Sequence, residues 1–188
     1  MQDPPKKNSL HHFRDAAVGK SALSQMFRSD GAHFQKNYSM TAGVELLVKS
    51  VNISDTSDSV ELYIFDSAGR ETFTKACEKM WGQPSVVCLV FDISNLDSFN
   101  NCSRWLERVR AHCNGLQLPG VLVGNKSDLA SRREVDVALA QEWAQNQGLQ
   151  YFETSVKEME NCDAPFLSLA QAYYDLYQER KRITQRIC

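Results

Sequence analysis

Ala17-Val18-Gly19-Lys20-Ser21 stands at the head of a helical pattern, Lys20 to Arg28, in which Leu23, Met26 and Phe27 recur at helical spacing until Asp30-Gly31 stops the run. A glycine, a lysine and a hydroxyl at a helix start are the parts of a phosphate-binding loop. Backbone N–H groups at a helix N-terminus hold phosphate oxygens, Lys20 reaches the β- and γ-phosphates, and Ser21 can ligate Mg²⁺. Taken alone, the tripeptide Gly19-Lys20-Ser21 serves equally well as an ordinary helix start.

Two further motifs stand at strand ends. Asp66-Ser67-Ala68-Gly69 closes the apolar strand Leu62 to Phe65. A carboxylate there can hold a Mg²⁺ shell, and Gly69, with no side chain, lets its amide approach a γ-phosphate; a plain strand-to-loop turn is the other reading. Asn125-Lys126-Ser127-Asp128 follows the apolar run Val121-Leu122-Val123. A carboxylate at Asp128 only accepts hydrogen bonds, and guanine offers two donors on one edge, the ring N1–H and the exocyclic amine. Adenine offers an acceptor at the ring position and cannot make that bidentate match. In isolation this stretch would be a loop with a helix-capping aspartate.

Around these motifs, strand and helix signals alternate. Val44 to Ile53 and Val60 to Phe65 read as a hairpin across the polar turn Ser54-Asp55-Thr56-Ser57-Asp58. Val86 to Phe91 and Val121 to Val123 are unbroken apolar runs, which suit parallel strands buried on both faces. Phe99, Cys102, Trp105, Leu106 and Val109 mark one helix, Val135 to Gln147 a second, and Tyr151-Phe152 opens a last strand. Phe166, Leu169, Ala170, Tyr173, Leu176 and Tyr177 stripe a closing amphipathic helix, as core packing or, less simply, a partner groove. This order predicts an α/β fold, an open sheet with one antiparallel hairpin.

The chain has 188 residues, 43% hydrophobic and 23% charged, with 21 basic and 23 acidic side chains and a net charge of −2. That balance fits one globular domain and gives no reason to expect nucleic acid or a membrane surface as partner. The six cysteines make no C-x-x-C pair, and the four histidines complete no zinc pattern with them, so free thiols in a reducing compartment are expected. No segment approaches the roughly 18 consecutive apolar residues of a membrane span. Cytoplasm is the default location.

Five motifs in one order resemble those of Rab-type small GTPases. To the three above are added Thr41-Ala42-Gly43, similar to the first switch, and Glu153-Thr154-Ser155-Val156-Lys157, similar to the E-T-S-A-K loop. From Asp15 onward the likeness covers nearly the whole chain. Phe27 to Lys36 and Glu153 to Asn161 read most like the Rab-like GTPase of intraflagellar transport complex B.

The resemblance implies a Ras-like P-loop GTPase domain, with an open, mostly parallel six-stranded sheet, helices on both faces and an atypical first strand. It implies GTP or GDP with Mg²⁺ as ligands. Asp15, Ala16, Ala17, Val18, Gly19, Lys20 and Ser21 would line the phosphates. Ser21, Thr41 and Asp66 would surround the metal, and Gly69 would meet the γ-phosphate. Asn125, Lys126 and Asp128, with the backbone of Ser155, Val156 and Lys157, would hold the guanine. It also implies a heterodimer with the small β-sandwich intraflagellar transport protein twenty-five, contact with other complex B subunits, and a place in the cilium or flagellum and its basal body.

Three departures qualify this. Arg70 stands where a glutamine usually orients the attacking water, so a slow GTPase at most is expected. The chain ends Arg186-Ile187-Cys188, which is neither C-a-a-X nor a double cysteine, so no stable direct membrane anchor is expected. Arg14 replaces the first glycine of the phosphate loop, after a polar stretch, Lys6 to Phe13. The expected organisation is therefore an atypical leader (1–14) in place of the usual first strand, a GTPase domain (15–178) and a charged tail (179–188). A nucleotide-deficient module of the same fold, acting only as a scaffold, is the alternative; Asn125 and Asp128 argue against an ATPase or small-molecule kinase.

Overall fold

The computed structural model describes residues 6–13, 17–31, 44–67, 84–113 and 118–187; of 6–13, 44, 67 and 187 only the backbone is described. In chain order these residues form β1 (Lys6–Phe13), α1 (Lys20–Arg28), β2 (Val44–Asn52), β3 (Ser59–Ser67), β4 (Val86–Asp92), α2 (Leu96–His112) and β5 (Gly120–Asn125). A 3₁₀ helix (Ser127–Arg132), α3 (Val137–Asn146), β6 (Leu149–Thr154) and α4 (Ala164–Ile187) complete them.

The six strands make one sheet in the order β2-β3-β1-β4-β5-β6. β2 and β3 pair antiparallel, from Val44 opposite Ser67 to Asn52 opposite Ser59, and every other pairing is parallel. The hairpin and the parallel remainder are those read from the sequence.

Lys6–Phe13, the stretch expected as a leader in place of the first strand, itself runs as β1 between β3 and β4. A slot between two strands leaves both neighbours with backbone donors and acceptors to satisfy. Any residue other than proline can supply those partners, whatever its side chain.

All seven residues of β4 are buried. Its side chains alternate between two cores, as the two-residue period of a strand requires. Val86, Cys88 and Val90 pack with Leu23, Met26 and Phe27 of α1 and with Phe166, Leu169 and Ala170 of α4. Val87, Leu89 and Phe91 pack with Phe99, Trp105 and Leu106 of α2 and with Ala140 and Ala144 of α3. Helices thus cover both faces. Cys88, Cys102, Cys113 and Cys162 are buried and form no disulfide.

Local chemistry sets the helix ends. Asn95 accepts from the Ser98 amide at 2.9 Å to open α2. The Asp136 carboxylate accepts from the amides of Ala138, at 2.8 Å, and Leu139, at 3.3 Å. This cap delays α3 to Val137, two residues past the apolar Val135 at which the sequence pattern places its start. The aromatic stripe on α4 is core packing at its amino half: Phe166 is fully buried, and Tyr173 and Tyr174 pack partly against the same core. Residues 179–186 of α4 are exposed.

Candidate nucleotide site

The sheet brings the ends of β3, β5 and β6 to the loop ahead of α1, at the carboxyl edge where open parallel sheets hold ligands. Gly19 is the N-cap of α1, with φ +91°. A Cβ at that position would run into the Asn125 side-chain nitrogen, so glycine is required on conformational and steric grounds alike.

Lys20 is buried, unusual for a lysine, and its ammonium lies 3.5 Å from the Asp66 carboxylate at the end of β3. The Ser21 hydroxyl donates to the other Asp66 oxygen. A cation, a hydroxyl and a carboxylate therefore converge at the first turn of α1. This is the group that the sequence assigns to phosphate and metal.

Asn125, at the end of β5, is 1% exposed and joins this group to the second one. Its Nδ2 donates to the Val18 carbonyl at 2.8 Å, and its Oδ1 accepts from the Thr154 hydroxyl of β6 at 3.0 Å. Beyond it, the Ser155 hydroxyl donates to Asp128 at 2.7 Å, and Lys157 lies 3.7 Å from the second Asp128 oxygen. Asp128 is thereby aimed by its neighbours. Lys157 is also 3.2 Å from Glu158, which with Asp128 holds its ammonium above the usual lysine range.

Lys126 adopts the left-handed region, φ +67°, and its ammonium lies 2.6 Å from Asp92 at the end of β4. Burial disfavours charge on Asp92, but Lys126 and the hydroxyl and amide of Ser94 outweigh it, so the carboxyl sits below its ordinary range. Four of the six non-glycine residues with positive φ among the described residues, Ala17, Lys126, Met159 and Asn161, lie in these loops. Such backbone is costly and persists where neighbours fix it.

Of the residues singled out from the sequence, Ala17, Val18, Gly19, Lys20, Ser21, Asp66, Asn125, Lys126, Asp128, Ser155, Val156 and Lys157 are described. They form the two linked groups, with Val156 burying its side chain in the core beside Val18. Asp15, Ala16, Thr41, Gly69 and Arg70, with Arg14, lie outside the described residues. Sequence reasoning missed Asp92, although a polar residue closing an apolar strand is the same signal that marks Asp66 and Asn125. Among the described residues, no group of three or more His, Cys, Asp or Glu side chains could hold a metal ion. No described helix is long and apolar enough to cross a membrane.

Residues 13–175 match the Ras family. The chain belongs to that family. This Ras-family chain is 60% identical over 173 residues to the intraflagellar transport protein 27 homolog of Bos taurus, covering 92% of the chain and 93% of the relative. It is 60% identical over 169 residues to the homolog of Homo sapiens, covering 90% and 91%. Over 178 residues it is 39% identical to intraflagellar transport protein 27 of Chlamydomonas reinhardtii, covering 93% and 87%. Ras-family membership carries binding of GTP and GDP with it.

Proposed function

We propose that this chain is the Rab-like GTP- and GDP-binding subunit of intraflagellar transport complex B, acting in cilium and flagellum assembly and in ciliary cargo traffic with slow GTP hydrolysis. Relatives 60% identical over about nine-tenths of the chain are themselves named as intraflagellar transport proteins. A heterodimer with intraflagellar transport protein twenty-five, contacts with other complex B subunits and residence at the cilium and its basal body belong to the same proposal. So does the division of the chain into a first segment to residue 14 that contributes β1 to the sheet, a GTPase domain over 15–178 and a charged tail from 179.

The observation that carries the nucleotide reading is Asn125, which hydrogen-bonds the phosphate-loop carbonyl of Val18 on one side and Thr154 of the base-side loop on the other. Lys20 would neutralise the β- and γ-phosphates. The amides that open α1 would point at phosphate oxygens. Asp128 would take the two guanine donors, and the Lys126 stem would lie along the base. Ser21 and Asp66 offer hard oxygen donors, the chemistry Mg²⁺ prefers beside phosphates; with Thr41 they would hold it. Bound there, Mg²⁺ would supply positive charge against the γ-phosphate.

Arg70 would leave hydrolysis slow, because a guanidinium has donors only and cannot accept a water proton. Arg14 and the polar sequence of β1 favour the second reading, a nucleotide-deficient scaffold. Titrating the full chain with fluorescent GDP, GTP and ATP separates them. GDP and GTP should bind and ATP should not. Equal binding of ATP would remove the guanine assignment, and binding of none would leave the scaffold.

A further inference from the structure

Glu153 stands in β6 two residues before Ser155 and joins three parts of the structure, two through its carboxylate and one through its backbone carbonyl. Arg133 donates to Oε1 at 2.8 Å and to Oε2 at 2.9 Å, a two-pronged fork. The Tyr151 hydroxyl donates to Oε1 at 2.7 Å, and the Glu153 carbonyl accepts from Asn161 Nδ2 at 2.9 Å. Arg133 is the residue that closes the 3₁₀ helix containing Asp128, and it also donates to the Val135 carbonyl at 3.2 Å. One ion pair therefore ties the segment bearing Asp128 to the segment bearing Ser155.

Both segments need such a tie. The loop from Ser155 to Asn161 holds two non-glycine residues in the left-handed region, Met159 at φ +56° and Asn161 at φ +54°. Its ends are closed by reciprocal backbone bonds between Ser155 and Glu160, at 3.0 and 2.8 Å. Asn161 is fixed through Glu153. Tyr151 in turn packs against Phe91 of β4 with ring centroids 6.4 Å apart. Its hydroxyl sits so close over β5 that a Cβ at Gly124 would come within 2.8 Å of it. The fork is thus referenced to the sheet.

We infer that Arg133 and Glu153 are positioning residues for base discrimination: their fork sets the separation of the Asp128 and Ser155 segments, and so the aim of the Asp128 carboxylate at the two guanine donors. The inference rests on the reading of Asp128 as the guanine acceptor. A planar guanidinium and a planar carboxylate fix both distance and relative orientation, which a single-point ion pair does not. Burial opposes charge on Glu153, but Arg133 and Tyr151 outweigh it and hold the carboxyl below its ordinary range, while Arg133 is raised in return. The fork stays ionised across neutral pH.

A pair that only stabilises the fold would lower melting temperature and weaken all nucleotides alike. A pair that aims Asp128 changes their ratio. Inosine diphosphate keeps the ring N1–H of guanosine diphosphate and lacks the exocyclic amine, so the ratio of the two affinities reads one of the two Asp128 bonds. With the full chain, Glu153→Gln should cut that ratio about 3- to 10-fold, the scale of indirect coupling between packed residues. Asp128→Ala should abolish it. If Asp128→Ala keeps the parent's ratio, the base-site reading fails. If Asp128→Ala abolishes the ratio while Glu153→Gln keeps it and only melts earlier, the positioning inference fails and the base site stands. Should Glu153→Gln not fold, Arg133→Lys gives the same reading, because one ammonium cannot fork across both oxygens.

Discussion

Asn125→Asp exchanges one side-chain nitrogen for oxygen at the joint between the loop ahead of α1 and the end of β6. The variant keeps the acceptor used by Thr154 and removes the donor to the Val18 carbonyl 2.8 Å away. At a site 1% exposed, an ionised carboxylate facing a carbonyl oxygen is strongly disfavoured, whereas the protonated acid can donate to Val18 as the amide does. The folded pKa of the new group therefore rises above its unfolded value of about 3.9. Stability is then fully present below that value and is lost as pH climbs towards the folded pKa.

Protonation also limits the loss. If the acid replaces the amide well, the cost cannot exceed the free energy of holding the proton, about 1.4 kcal/mol per pH unit above 3.9. The ceiling is about 1.5 kcal/mol at pH 5 and about 4 kcal/mol at pH 7, against the roughly 5–15 kcal/mol that holds a domain together. Urea unfolding of parent and variant at pH 5, 6 and 7 measures this directly. The gap should widen with pH and stay under the ceiling. A gap that does not change with pH, or no gap at pH 7, would refute the reasoning.

Asp128→Asn should move base selectivity towards xanthine and cost about 2–4 kcal/mol of GDP binding, roughly 30- to 1,000-fold, in an equilibrium titration. The parent's single-turnover GTP hydrolysis should fall below the order of about 3–5 × 10⁻⁴ s⁻¹ seen for unassisted Ras; a parent faster than Arg70→Gln would instead make Arg70 a built-in charge stabiliser. An apolar sequence at positions 8–13 combined with Arg14→Gly should raise both melting temperature and GDP affinity. Each large apolar side chain newly buried is worth roughly 1.5–3 kcal/mol, and unchanged values would mean that the polar sequence of β1 does no harm.

The parts of the fold that could be read in advance are those with a period. The unbroken run from Val86 to Phe91, too short for a typical helix and rich in β-branched residues, suits a strand covered on both faces, and all of β4 is buried. Lys20 to Arg28 begins and ends where its glycines and apolar spacing put it. β1 carried no such signal: its place between β3 and β4 is settled by backbone pairing, to which hydropathy is blind. The site divides in the same way. Lys20, Asp66, Asn125 and Asp128 are legible because each closes or opens an element with a polar group of defined chemistry. Arg133 pairs with a residue twenty positions away and Lys126 with Asp92, and no local pattern announces either contact.

α4 is 24 residues long, about 36 Å at the helical rise, and its residues from Glu179 to Arg186 have solvent around them. Upstream, Phe166, Leu169 and Ala170 in the core hold turns already wound, so the exposed end does not have to nucleate; it only propagates, one hydrogen bond per residue. Such an end does not melt with the sheet. It unwinds in steps from its terminus, and amide exchange along it should grade from fast near Arg186 to slow near Tyr173, with no single threshold between them.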